Sequence, residues 1–231
     1  MFSLLSFSFS LLLSHQGALG TNEHIKTVNE LIQLSNNVNA GTNYNGTTVF
    51  LDADLDFSGG FSEQFEPIGK GVNNSFQGTF DGQGHTVSNL VINSHQQFVG
   101  LFGYSDGATI RNVVLDSSCS VESAHNSTHV YTGGIIGECY ASSLPCIIEN
   151  CVNMASVSFT GNVTTSLYIG GIAGYVEAAD KEVIVENCAN YGVVAHFGIT
   201  ENARLGGIIG QASGDLLRYI QNCLNYGTVT H

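Results

Sequence analysis

Tyr168-Ile169-Gly170-Gly171-Ile172-Ala173-Gly174, then after a polar interval Val185-Glu186-Asn187-Cys188-Ala189-Asn190-Tyr191-Gly192-Val193-Val194, is the stretch that decides the fold. The chain says it again on both sides. Upstream stand Gly133-Gly134-Ile135-Ile136-Gly137 and Ile148-Glu149-Asn150-Cys151-Val152-Asn153. Downstream stand Gly206-Gly207-Ile208-Ile209-Gly210 and Ile220-Gln221-Asn222-Cys223-Leu224-Asn225-Tyr226-Gly227. A looser first copy reads Gly100-Leu101-Phe102-Gly103, then Ile110-Arg111-Asn112-Val113. The closing glycines, 103, 137, 174 and 210, lie 34, 37 and 36 residues apart. A period of that size describes stacked units, each burying its apolar face against the next.

Stacking puts equal repeat positions above one another. Leu101, Ile135, Ile172 and Ile208 are expected to form one inward aliphatic ladder, and Ile110, Ile148, Val185 and Ile220 a second. Asn112, Asn150, Asn187 and Asn222 form an asparagine register, and Asn153, Asn190 and Asn225 another. Such amides hydrogen-bond along a stack and tolerate the backbone of a bend.

Earlier in the chain, Thr27-Val28-Asn29-Glu30 matches a capping box, and Val28, Leu31, Ile32, Ser35 and Val38 share one helical face before Gly41. One helix over about residues 28–39 is expected, covering the first coil within an N-terminal capping unit of residues 21–41. Residues 49–57 alternate apolar and acidic, which predicts a strand with Leu51, Ala53, Leu55 and Phe57 inward and Asp52, Asp54 and Asp56 outward. Short strands around Phe76–Val87 and Leu90–Ile92 follow, about three to a turn, with no helical crossover between them. The expected fold is all-β: a right-handed single-stranded parallel β-helix of five to seven coils over residues 42–231, with repeats near 98–121, 131–159, 168–196 and 204–231.

Composition sets limits on partners. The formal charge is −13 with only six Lys and Arg, which argues against nucleic acid. Residues 1–20 carry an apolar run from Phe2 to Leu13, then Ala18-Leu19-Gly20, and read as a secretory signal peptide, although no Lys or Arg precedes the run. A buried first strand is the competing reading. No later stretch reaches transmembrane length. Four N-x-[ST] sequons, at Asn45, Asn73, Asn126 and Asn162, lie in polar intervals and agree with secretion.

The Gly-Gly, apolar pair, Gly pattern followed by Ile-x-Asn-Cys-x-Asn resembles the GLUG-motif repeat proteins. The lead-in is similar to theirs as well: the helix, Leu51-Asp52-Ala53-Asp54-Leu55-Asp56, Pro67-Ile68-Gly69 and Phe76-Gln77-Gly78-Thr79-Phe80-Asp81-Gly82. The resemblance covers nearly everything after residue 24. It implies a right-handed parallel β-helix at a cell surface, as in adhesin-like proteins and the non-catalytic parts of IgA-cleaving peptidases, and carries over no catalytic residue. The first copy departs from it, with Val113 for Cys and Leu115 for Asn.

Several constellations suggest chemistry. Gly103-Tyr104-Ser105-Asp106-Gly107 spells a nucleophile elbow, but that motif needs a strand-to-helix turn and a His base, and a β-helix loop is the competing reading. Asp52, Asp54 and Asp56 begin like a calcium loop, yet Phe57 and Glu63 break the pattern, leaving a solvated acidic face as the alternative. Asp81, Asp106, Asp116, Glu138 and Glu177 would matter together if several converged, as in β-helix glycosidases. His125 and His129 have zinc-ligand spacing but flank a sequon in a non-helical segment, and no H-E-x-x-H occurs. Cys151, Cys188 and Cys223 repeat in register and read as stacked thiols; Cys139 and Cys146 flank an enlarged loop and are the expected disulfide; Cys119 has no evident partner.

The reading that follows is a secreted or cell-surface structural or adhesion module, without enzymatic activity or cofactor, contacting glycans or surface proteins through loops and flat faces. A carbohydrate-active enzyme is the alternative. A flat ice-binding face would want a regular Thr ladder, which the chain lacks. The strand-like Thr228-Val229-Thr230-His231, with no cap after it, suggests either a fragment of a longer protein or end-to-end association.

Overall fold

The computed structural model describes residues 22–61, 65–126 and 129–231; residues 1–20, expected from the sequence to be a signal peptide, lie outside them. The chain winds as an all-β parallel solenoid of about five turns with one short helix near its start. Five long sheets run along it, of seven, six, five, four and four strands, and a two-stranded sheet sits beside them. The first sheet stacks Asn22–Ile25, Thr48–Leu51, Thr79–Asp81, Thr109–Arg111, Cys146–Glu149, Val183–Glu186 and Leu217–Gln221. All of the pairings between these strands are parallel, joining residues about one period apart.

One middle coil shows the order: His129–Gly133 in the fourth sheet, Ile136–Tyr140 in the fifth, Cys146–Glu149 in the first, Val152–Asn153 in the second and Ser156–Phe159 in the third. A coil therefore holds five short strands, where three were expected. The extra breaks fall at glycine pairs and at asparagines in the left-handed conformation. Asn112, Asn150, Asn187 and Asn222 all have φ between 53° and 55°, a region asparagine tolerates better than most residues. The asparagine registers thus divide the work expected of both. The 112 series makes the bends. Asn153, Asn190 and Asn225 form the hydrogen-bonded ladder, Asn153 donating to the Asn190 side-chain oxygen and Asn190 to that of Asn225, each at 2.8 Å.

The aliphatic ladders fill the interior. Leu101, Ile135, Ile172, Ile110, Ile148 and Val185 are fully buried, whereas Ile220, in the last described coil, is 45% exposed. Helix α1 (Val28–Asn39) begins with the capping box: Thr27 Oγ1 accepts from the Glu30 amide, and the Glu30 carboxylate accepts from the Thr27 amide. It buries Leu31, Ile32, Leu34, Ser35 and Val38 against the first coils, and the Asn39 side chain bonds Pro67 O and Gly69 N. A strand at Asn22–Ile25 precedes the helix, so the N-terminal unit is a strand and a helix. The expected strand over 49–57 divides into Thr48–Leu51 and Leu55–Asp56, on different sheets, because residues 52–54 turn a corner that leaves Ala53 only half buried.

A tyrosine and glutamate corner as candidate binding site

The fourth and fifth sheets meet where each coil folds back through its glycine pair. Glycine is required here by proximity. A Cβ on Gly174 would stand 2.5 Å from the Thr132 nitrogen, and one on Gly137 would stand 2.7 Å from the Val99 nitrogen. The backbones close to a distance that no side chain permits, and the outward side chains of the two sheets are brought together along the corner.

Three rows result. Phe98, Tyr131, Tyr168 and Arg204 are aligned by strand register in the fourth sheet. Tyr104, Glu138, Tyr175 and Gln211 are aligned in the fifth, and so are Asp106, Tyr140, Glu177 and Ser213. The rings of Phe98, Tyr131 and Tyr168 stack at 5.3 and 5.2 Å, nearly parallel, and the Arg204 guanidinium lies 5.3 Å from the Tyr168 ring centre. Tyr175 packs against both Tyr131 (5.5 Å) and Tyr168 (5.2 Å), binding the two sheets' rows into one surface. Because the stacked faces cover one another, the first row presents ring edges and phenol hydroxyls outward.

Glu138 sits in the middle of this surface, between Tyr104 and Tyr175 in its row. It is 7% exposed and makes no hydrogen bond or ion pair among the described residues. Burial, and then the charge of Glu177 one coil on, push its carboxyl up to about 8, so it holds its proton at neutral pH. Burial and the neighbouring Glu138 charge likewise raise the Tyr104 and Tyr131 phenols.

Of the five carboxylates singled out in the sequence, the structure brings Asp106, Glu138 and Glu177 to one face and separates the other two. Asp81 lies on the first sheet, held by Arg111 Nε at 2.9 Å and Asn112 Nδ2 at 2.8 Å. Asp116 caps its own turn, accepting from the Ser118 amide. Asp106 is itself engaged, accepting from the amides and hydroxyls of Ser142 and Ser143. Convergence of all five therefore does not occur, because short polar side chains at strand ends cap the nearest loop.

The other candidates are placed as follows. Ser105 lies inside the strand Phe102–Asp106, fully buried, its Oγ 3.0 Å from Cys139 Sγ, with no helix after it; the elbow reading is wrong because the motif continues as strand. Asp52, Asp54 and Asp56 link successive coils. Asp52 meets His24 and Gln83, Asp54 meets His85 and the Thr86 amide, and Asp56 meets Asn89 and the Ser58 amide. Cys139 and Cys146 are joined across a Cα separation of 6.3 Å, and Cys119, Cys151, Cys188 and Cys223 are free. Asn45, Asn73, Asn126 and Asn162 are all exposed. His129 stacks along Tyr131 at 6.5 Å, while residues 127–128, between it and His125, lie outside the described residues. Among the described residues no helix is long and apolar enough to cross a membrane.

Neither a family model nor a curated protein matches the chain. Among solved structures, a putative immunoglobulin A1 protease from Bacteroides ovatus is similar at 14% identity, over 90% of this chain and 82% of that one, with a TM-score of 0.46.

Proposed function

We propose that this chain is a secreted or cell-surface adhesion-like module of the GLUG-repeat kind, non-enzymatic, that contacts glycans through the tyrosine and glutamate corner. The observation that carries the reading is the unpaired Glu138 carboxyl within a wall of phenols on the outer flank of the solenoid. Hydroxyls of Tyr131, Tyr140 and Tyr175 with the carboxylate of Glu177 offer both donors and acceptors, which suits the hydroxyl-rich edge of a sugar. Asn45, Asn73, Asn126 and Asn162 are exposed, as glycosylation in a secretory pathway would require, although Asn162 opens a two-residue strand and not a loop. The test is a panel of glycans and polysaccharides presented to the chain secreted from a eukaryotic host, with and without calcium, scoring retention and released sugar ends together. Retention without product supports the reading.

A second reading, a carbohydrate-active enzyme, is favoured by one observation: Glu138 keeps a proton while Glu177 stands one coil away, the pairing of acid and base that glycoside hydrolysis uses. Release of sugar ends, lost in both Glu138→Gln and Glu177→Gln, would establish it and displace the first.

A further inference from the structure

Resting on the glycan reading, we propose that the Glu138 corner is a subsite for a primary ammonium carried by a polysaccharide, namely a deacetylated amino sugar. Glu138 would pair with the ammonium, and the phenols of Tyr131, Tyr140 and Tyr175 would take the sugar hydroxyls.

The corner is short of one specific thing. A carboxyl more than nine-tenths buried, with no hydrogen-bond partner among the described residues, stands between Tyr104 and Tyr175 in its row, with the carboxylate of Glu177 one coil on. Anionic sugars meet like charge here. Asp106, Glu138 and Glu177 gather on one face, and Arg204, already placed over Tyr168, is the cation of these three rows. An uncharged sugar would leave the buried acid protonated and unpartnered. A group that brings N–H donors and positive charge together favours the ionised carboxylate, whose proton passes to solvent as the pair forms.

The ring geometry narrows the cation. A quaternary ammonium is held by aromatic faces, and these faces are spent on one another and, at the row's end, on Arg204. It also carries no N–H for Glu138 to accept. A primary ammonium offers three donors. A lysine side chain would bring an apolar stem to a surface whose remaining groups, Gln211, Ser213 and the phenols, are polar. A sugar ring brings hydroxyls to the same places. Asp106 and Glu177 stand in one row and Glu138 in the next, and Asp106 is already held by Ser142 and Ser143, so Glu138 is the acid of this face that an ammonium would meet.

The experiment is calorimetric titration of the full chain with three probes: a hexamer of glucosamine, its fully N-acetylated counterpart, and hexalysine. Each is repeated on Glu138→Gln, which keeps the shape of the side chain, and on Glu122→Gln, on another sheet, as a control. The expected result is binding of the glucosamine hexamer alone, weakened about tenfold or more by Glu138→Gln, as loss of a charge-assisted bond implies, and unchanged by Glu122→Gln. Equal binding of both hexamers, indifferent to Glu138→Gln, would overturn the ammonium subsite and leave glycan contact standing. Binding of hexalysine with neither sugar would overturn both in favour of a protein partner. No binding by any probe to a chain that melts cooperatively would also overturn both.

Discussion

Asn190 lies wholly inside the solenoid, where an amide is tolerated only if each of its hydrogen-bonding groups is met. Its oxygen accepts from Asn153 at 2.8 Å, and its nitrogen donates to Asn225 at 2.8 Å and to Gly192 O at 2.9 Å. Asn190→Ala would strand a buried donor on Asn153 and leave Gly192 O unmet. A destabilisation of roughly 2–4 kcal/mol is expected, read from urea unfolding, against under 1 kcal/mol for exposed Asn202→Ala. Glu138 makes a prediction of opposite sense. The folded chain keeps its proton up to about 8, while the unfolded chain releases it near the ordinary value of 4.5. The folded state binds more protons across that window, so stability falls as pH rises through it and is lowest above 8. Glu138→Gln removes that slope, and each unit of displacement counts for roughly 1.4 kcal/mol. Urea unfolding at pH 5 and pH 8.5 should therefore show the variant gaining on the parent at the higher pH; parallel changes in both would refute the assignment.

At the scale of the element, the corner depends on glycine closure between the fourth and fifth sheets. Gly174→Ala would place a methyl 2.5 Å from the Thr132 nitrogen and 2.7 Å from the Gly137 oxygen, both backbone atoms that cannot swing aside. The sheets must part, and a fall of about 3 kcal/mol or more is expected in stability, with loss of the Tyr131–Tyr175 contact visible in near-ultraviolet circular dichroism. The same element shows what the sequence could and could not convey. The glycine pair, the Ile-x-Asn-Cys-x-Asn segment and the capping box of α1 are local patterns, and each folds where its spelling puts it. The binding face is not local. Tyr131 and Tyr175 belong to different coils and different sheets, and they meet only after the backbone has closed at the glycines. Alternation along the strand also misleads there, since Ile136 and Cys139, three residues apart, both join the core. One trace was readable: Tyr104, Glu138, Tyr175 and Gln211 each follow a closing glycine.

Over the whole molecule, each coil is held by the one before and the one after it, so stability is the sum of neighbouring interfaces. The coil from Ala203 onward has a neighbour on one side only within this chain. Its side chains show the cost: Ile220 is exposed where its counterparts Ile148 and Val185 are fully buried, and Tyr219 and Leu224 are exposed where Ile184 and Ala189 are half-buried. Hydrogen exchange should be graded accordingly, with amides of Leu224–Asn225 and Val229–Thr230 exchanging faster than those of Val152–Asn153 and Ser156–Phe159. Uniform protection in dilute solution would mean that this coil is covered by another molecule.

The asparagine ladder has one more consequence. Each amide hands its hydrogen the same way, from Asn153 to Asn190 to Asn225, so the column has a head and a tail. A whole repeat can be spliced in or out without breaking that direction, whereas a fraction of one cannot. The molecule is therefore a ruler graduated in coils, and a lineage can change its reach in increments of about 4.8 Å while keeping every contact of the remaining turns.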